Sequence, residues 1–193
     1  GDKIYYAGTV SRPGSNSEFH LVDERIAGHM PRSLDFAAAA ALPLTSITAW
    51  EGLFDRLGIS LHENENKSIL IIGAAGGVGS IAIQLAKLAG LTVIGTASRP
   101  ESIQWVESLG ADLTINHNNP FLPQLKEAGI DTVDYIYCLN DTVQHLENMA
   151  EVIAPQGKIC SIVPTNKATW AGSLKMDLLF SKSVTFAWEF MFT

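Results

Sequence analysis

The stretch SILIIGAAGGVGSIAIQLA, residues 68–86, decides the fold. Ser68 to Ile72 is an apolar run rich in β-branched residues, which favours a buried strand. Gly73 to Gly79 places four glycines in seven positions, a turn in which backbone must come close to something. Ser80–Ala89 is apolar at helical spacing through Ile81, Leu85 and Leu88, and Gly90 supplies a helix stop. Strand, glycine turn and helix in this order are the setting a dinucleotide fingerprint requires. The spacing Ala74-x-Gly76-x-x-Gly79 fits G-x-G-x-x-G with alanine in first place. Gly76 lets backbone approach a pyrophosphate. Gly77 and Val78 belong to the same phosphate-facing turn, the N-terminal amides of the helix that follows face the phosphates, and Gly79 lets that helix pack close to the strand.

Two other readings of the stretch are weaker. It carries no charge over nineteen residues, as a membrane span would, but its central glycines make it a poor helix. A glycine turn without a ligand is the plain alternative, and the flanking strand and helix argue against it.

Outward from this centre, 193 residues make one domain, or one domain with an appendage. A hydrophobic content of 47% suffices for a core, and a net charge of −7 without a Lys/Arg cluster excludes nucleic acid and an anionic membrane as partners. Cys138 and Cys160 lie in apolar runs without C-x-x-C spacing, so they read as buried thiols of a reducing, cytoplasmic compartment. The polar start GDKIYYAG is no signal peptide, and with no initiator Met it reads as the middle of a longer protein; the apolar end FAWEFMFT reads as a cut.

Along the chain, Gly1–Val10 and Ser17–Asp23 read as strands around a turn at 11–17, and Ile26–Ser33 as irregular. Asp35–Ala41 is helical. A second helix opens at Pro43 and runs through Thr45–Leu57, with Ile47, Trp50, Leu53, Phe54 and Leu57 on one packing face. Beyond the glycine turn, strands at Leu91–Ala97, Leu113–Asn116, Val133–Leu139, Gly157–Val163 and Ser183–Phe190 alternate with helices. The helices are expected at Pro100–Leu109, Pro120–Ala128, Asp141–Ile153 and Ser173–Ser181. Six strands alternating with helices predict a Rossmann-type, doubly wound parallel sheet of order 3-2-1-4-5-6 with helices on both faces. The ligand is then expected over the carboxyl ends, where the strand order switches.

An NAD site is expected to carry an acid at the tip of the second strand, about 20 residues past the fingerprint. Here that tip is Gly95-Thr-Ala-Ser98-Arg99-Pro100, without Asp or Glu. Ser98 and Arg99 suit a 2′-phosphate, which wants donors and positive charge. No Tyr-x-x-x-Lys pair, P-loop or Gly-x-Ser-x-Gly elbow is present, and the five histidines have no ligand spacing. An S-adenosylmethionine site shares the opening but wants an acid on the second-strand tip.

Taken together these segments resemble the medium-chain dehydrogenase/reductases, in the branch of the quinone oxidoreductases and zinc-type alcohol dehydrogenase-like proteins. GDKIYYAG is similar to the Gly-Asp-x-Val turn late in that family's GroES-like catalytic domain. AAAAALPLTSITAWEGLF (37–54) resembles its inter-domain helix pair, residues 68–90 its nucleotide loop and helix, and ESLGADLTINH (107–117) its third-strand stretch. The resemblance covers essentially the whole chain. It implies that residues 1–30 are a remnant of the catalytic domain and 31–193 the NAD(P)-binding domain. It places Thr48 near the nicotinamide, Leu139, Asn140, Val163 and Pro164 along its path, Ser98 and Arg99 at the 2′-phosphate, and His117 where relatives have a tyrosine near adenine. Relatives often have a lysine near Ser102, absent here, which leaves Arg99 nearly alone.

Zinc alcohol dehydrogenases have a cysteine ligand four residues before the matching Thr; here Leu44 stands there, so the resemblance implies no metal. The expectation is an NADPH-dependent, zinc-independent reductase acting on a small-molecule quinone or enone, with a hydride leaving C4 of the cofactor and no catalytic residue in this chain. The chain by itself is expected to bind cofactor without turnover and to form a homodimer through its last strand. A non-catalytic NADPH-binding sensor or structural module is the other reading.

Overall fold

The computed structural model describes residues 1–62, 64–164 and 176–193. Its centre is a six-stranded parallel sheet of order β5-β4-β3-β6-β7-β8. The strands are β3 (Ser68–Ile72), β4 (Thr92–Thr96), β5 (Leu113–Ile115), β6 (Val133–Cys138), β7 (Ile153–Ser161) and β8 (Thr185–Trp188). Counted from β3, this is the expected 3-2-1-4-5-6, and every neighbouring pair is parallel. The remaining strands, β1 (Ile4–Tyr5) and β2 (Gly28–His29), form a separate antiparallel pair.

Side chains alternate across the sheet and divide the core in two. On one face Ile69, Ile71, Val93, Tyr135, Tyr137 and Cys160 pack under α2 (Pro43–Trp50) and α3 (Gly77–Leu88). On the other, Leu70, Ile72, Ile94, Ile136, Cys138 and Ile159 pack under α5 (Phe121–Glu127) and α6 (Thr142–Val152). Being covered on both faces, the central strand β3 is apolar at four successive positions, all fully buried. The helix ends follow local chemistry. Asp35 caps α1 (Phe36–Ala40) by accepting from the Ala38 amide at 2.7 Å. Asp141 caps α6 by accepting from Val143 and Gln144 at 2.9 and 3.0 Å. Gly90, at φ +83°, ends α3, where the Leu91 amide reaches back to the Ala86 carbonyl at 3.1 Å.

Several sequence expectations are corrected. Ser17–Asp23 is not a strand, and of Gly1–Val10 only Ile4–Tyr5 is. Phe19 and Leu21 are 90% and 79% exposed; strand-forming residues need a partner strand, and among the described residues none pairs with them. Ile26–Ser33, read as irregular, contains β2. Helix α3 begins at Gly77 and not at Ser80, because the last residues of the glycine turn are already helical. The segment expected as one helix over 45–57 changes character: α2 ends at Trp50 and a π-helical turn follows over Glu51–Arg56. In it the Leu57 amide bonds the Gly52 carbonyl at 3.0 Å. The wider turn rotates the buried face, so Ala49, Gly52, Leu53 and Leu57 point inward while Ile47 and Trp50 are exposed. A Cβ at Gly52 would lie 2.2 Å from the Tyr137 hydroxyl, so only glycine admits that ring.

Helix α6 stops at Val152, and β7 starts four residues earlier than expected, with a register shift against β6 between the Val133 and Tyr135 pairings. There Gln156 adopts φ +61° and its amide bonds the Lys182 carbonyl at 2.7 Å. Lys182 Nζ donates to the carbonyls of Ala150, Glu151 and Ile153, closing the C-terminal end of α6. Of the helix expected over 173–181, α7 (Asp177–Phe180) is present, and positions 173–175 lie outside the described residues. The last strand is shorter than 183–190. Both cysteines are buried and free, and burial pushes the Cys138 thiol up to about 11 and that of Cys160 up to about 12. Among the described residues no helix is long and apolar enough to cross a membrane.

Just past β8, Glu189 is 2% exposed and pairs with Arg56 of the π-helical turn at 2.8 Å. Burial pushes this carboxyl up to about 7; the neighbouring Glu51 carboxyl adds to the rise and Arg56 opposes it. A carboxyl raised on folding holds a proton that the unfolded chain releases. Its contribution to stability is therefore full below the ordinary range and is lost as pH rises from 4.5 to about 7. Thermal melting followed across that interval should show stability falling as pH rises, and Glu189→Gln should flatten most of the slope. An unchanged slope in the variant places the titration elsewhere.

Candidate nucleotide-binding site

The glycine turn Gly73–Gly76 joins β3 to α3 at the carboxyl edge of the sheet, beside the point where strand order reverses between β3 and β6. Its shape follows from near-contacts. The Gly76 amide bonds the Gly73 carbonyl at 3.1 Å, and the Gly73 amide donates to Thr96 Oγ1 at 3.0 Å, tying the turn to the end of β4. A Cβ on Gly79 would stand 2.4 Å from the Ala74 carbonyl oxygen, and one on Gly76 3.3 Å from the Gly73 carbonyl oxygen. Gly76 is the N-cap of α3, and no side chain caps that end. A twelve-residue helix thus presents its positive end and first-turn amides without a carboxylate of its own.

In front of this end lies a cleft of about 590 Å³. The glycine turn forms one wall with Gly73, Ala75 and Gly76. The end of β4 and the start of α4 (Pro100–Ser108) form the next with Thr96, Ala97, Ser98, Arg99 and Ser102. His117, Leu139 and Asn140 complete it. Among the described residues no Asp or Glu lines it. Arg99 Nη2 reaches Ser102 Oγ at 3.5 Å, so one guanidinium and two hydroxyl-bearing residues share the rim at the tip of β4. A Cβ on Gly95 would meet Val106 Cγ1 at 2.5 Å, which lets α4 lie low against β4 and brings that rim in.

Of the residues singled out in the sequence, Gly76, Ser98, Arg99, His117, Leu139 and Asn140 line this cleft. Ala74 and Gly79 are buried beneath it. Gly77 and Val78 form the first turn of α3, with Gly77 against the Thr45 methyl group. Thr48 stands apart. It is 7% exposed, its hydroxyl donates to the Leu44 carbonyl at 2.9 Å, and its carbonyl accepts from the Tyr137 hydroxyl at 2.7 Å. Val163 is half-buried, and its carbonyl accepts from Thr142 Oγ1 at 3.2 Å. The Thr142 hydroxyl also meets Ser161 Oγ at 2.6 Å, so the start of α6 is tied to the end of β7 just past Leu139 and Asn140. The sequence reading missed Gly73, Ala75, Thr96, Ala97 and Ser102 as wall residues. Thr96 and Ala97 were visible as the last residues of the strand expected to carry the ribose-binding tip.

The cleft fits a dinucleotide. Its glycine backbone admits a close pyrophosphate, and the uncapped helix end offers amides to it. Among the described residues no group of three His, Cys, Asp or Glu side chains converges.

Comparison with known proteins agrees with this geometry. The zinc-binding dehydrogenase family model matches residues 77–192. A zinc-type alcohol dehydrogenase-like protein of Staphylococcus epidermidis is 46% identical over the whole chain, which spans 56% of that protein. A chloroplastic NADPH-dependent alkenal/one oxidoreductase of Arabidopsis thaliana is 35% identical over 77% of the chain and 36% of its own length. The crystal structure of a putative zinc-dependent alcohol dehydrogenase from Rhizobium etli superposes with a TM-score of 0.90 at 46% identity, over all of this chain and 55% of that one. The chain thus spans about half the length of these relatives.

The Gly79 contact supplies a test. Gly79→Ala forces a methyl group against the Ala74 backbone, and strain of this kind costs about 1–3 kcal/mol. The variant should melt lower and lose most of its dinucleotide affinity, measured by thermal denaturation and by titration with NADPH. Unchanged binding would show that the helix end is not the anion site.

The uncapped helix over a glycine turn, the acid-free rim and the match across most of the sheet have one common explanation: the chain belongs to the zinc-binding dehydrogenase family of the medium-chain dehydrogenase/reductase superfamily, and carries its nucleotide-binding part.

Proposed function

We propose that the protein is an NADPH-dependent, zinc-independent reductase of quinones or enones, and that this chain is its cofactor-binding part. The observation that carries the reading is the rim at the tip of β4: Ser98, Arg99 and Ser102 without a carboxylate. A 2′-phosphate is attracted by a guanidinium and hydroxyl donors, and the acid that would hold a bare ribose is missing. The Arabidopsis relative, NADPH-dependent by name, supports the same cofactor and an unsaturated carbonyl substrate. Leu44 in place of a cysteine ligand supports the absence of zinc from the chemistry.

In this reading the first turn of α3, with Gly76, Gly77, Val78 and Gly79, holds the pyrophosphate, and Ala74 sits beneath it. Ser98 and Arg99 hold the 2′-phosphate, and His117 borders the adenosine. Leu139, Asn140 and Val163 line the way to the nicotinamide, with Thr48 nearby. When bound, the dinucleotide supplies a hydride. The chain's own residues bind, orient and shield; none is assigned as acid or base, since stabilising charge on the substrate oxygen falls to donors of the catalytic domain. Residues 1–30 belong to that domain and 31–193 to the nucleotide domain, so the chain alone binds cofactor and does not turn it over. A cytoplasmic location accords with the two free, buried thiols.

Two measurements bear on this. Arg99→Ala should lower NADPH affinity about 10- to 100-fold, the equivalent of a charge-assisted bond of about 1.5–3 kcal/mol, and leave NADH affinity nearly unchanged. Calorimetric titration of both cofactors decides; equal losses would make Arg99 an ordinary surface residue. The second concerns assembly. Edge strand β8 exposes Trp188, with Phe190 beyond it, as a pairing edge would, and we expect a homodimer built through this strand. Sedimentation of the intact protein should show a dimer, and a monomer at high concentration would count against it.

A further inference from the structure

Two imidazoles meet behind the cleft, and apolar packing explains neither. His145 lies in the second turn of α6, 1% exposed, with its ring stacked on Phe121 at a centroid distance of 5.7 Å. His117 follows β5 and lines the cleft. Their ring centroids are 6.4 Å apart and their planes stand at 76°. His145 Nε2 and His117 Nδ1 are both shut off from solvent, and neither has a hydrogen-bond partner among the described residues. Buried polar atoms left so carry their full desolvation cost, and a hydrocarbon side chain at 145 would avoid it. One water between the rings would give each nitrogen a partner.

Burial, with His117 alongside, holds the His145 imidazole below its usual pKa, so the ring stays neutral. A neutral imidazole has one donor and one acceptor nitrogen, and what one ring offers selects the tautomer of the other. The Phe121 stack fixes how His145 lies; His117, half-buried at the cleft wall, has no such brace.

We propose that His145 is a positioning residue for the adenosine end of the dinucleotide: through a water-bridged hydrogen bond to Nδ1 it sets the tautomer and tilt of His117, the ring that borders the adenosine. The proposal rests on the dinucleotide reading of the cleft and adds to it a residue that touches no part of the cofactor.

His145→Phe keeps the stack on Phe121 and removes Nε2, while His145→Gln keeps a hydrogen-bonding group at similar reach. In the intact protein, adenosine 2′,5′-bisphosphate and nicotinamide mononucleotide are titrated separately, and the ¹⁵N shifts of the His117 ring are recorded. His145→Phe should weaken the bisphosphate about 3- to 10-fold, leave the mononucleotide unchanged and alter the His117 tautomer, and His145→Gln should restore most of the affinity. Unchanged bisphosphate affinity in His145→Phe overturns the proposal, as does an equal loss of both probes or no rescue by Gln. Should the Phe variant fail to fold, the wild-type spectrum still decides: a single His117 tautomer with Nδ1 hydrogen-bonded supports the proposal, and a mixture of tautomers overturns it. Failure of the wild type to bind the bisphosphate removes the dinucleotide reading itself; normal wild-type binding with an indifferent Phe variant removes only the role of His145.

Discussion

The structure depends on how closely α3 can approach the turn that leads into it. At Gly79 a single added carbon would stand 2.4 Å from the Ala74 carbonyl oxygen, well inside van der Waals contact. Because that carbon is missing, the helix axis drops toward β3, and its N-terminal end stops over the carboxyl edge of the sheet. Gly95 does the same for the neighbouring pair, letting Val106 of α4 settle on β4. These two close approaches together determine where the cleft lies and how wide it is. The apolar interior then stabilises an arrangement whose shape glycine has made possible.

Charge is distributed in keeping with that arrangement. The chain is acidic as a whole, yet among the described residues no Asp or Glu lines the cleft. Asp112 is engaged by Lys87 at 2.7 Å, Asp141 is turned back to cap α6, and Glu189 is buried against Arg56 at the far edge strand. What remains at the cleft is the positive end of α3, backbone amides and Arg99. In an acidic protein a local positive site of this kind attracts an anion through short-range geometry, since net charge would repel it.

The π-helical turn links α2 to the sheet. Gly52 makes room for the Tyr137 ring, and the Tyr137 hydroxyl donates to the carbonyl of Thr48, so α2 is hung on the end of β6. Burial raises the tyrosine above its ordinary pKa and keeps that donor protonated. The Glu51, Glu189 and Arg56 group then fastens the same segment to the outermost strand. One stretch of chain thereby spans from the nucleotide turn to the sheet edge.

Much of this was legible in the sequence. The run 68–86 predicts strand, turn and helix because its information is local: β-branched residues, glycines and an apolar period all act within one turn or strand. Alternation gave the doubly wound parallel sheet, the dinucleotide fingerprint gave its strand order, and the absent acid near Arg99 could be read directly. What the sequence left open depended on contacts between distant residues. Residues 17–23 have strand propensity but no partner, a fact that pairing decides. The π turn at Gly52 is set by a tyrosine 85 positions later in the chain. Thr96 and Ser102 became walls only when β4 and α4 were laid beside the glycine turn. His145 looked like one scattered histidine among five until α6 packed its ring on Phe121 and brought it behind His117. Local propensity determined which segments are strands and helices; the packing of α2, α4 and α6 on the sheet decided which side chains meet, because only burial brings such distant residues together.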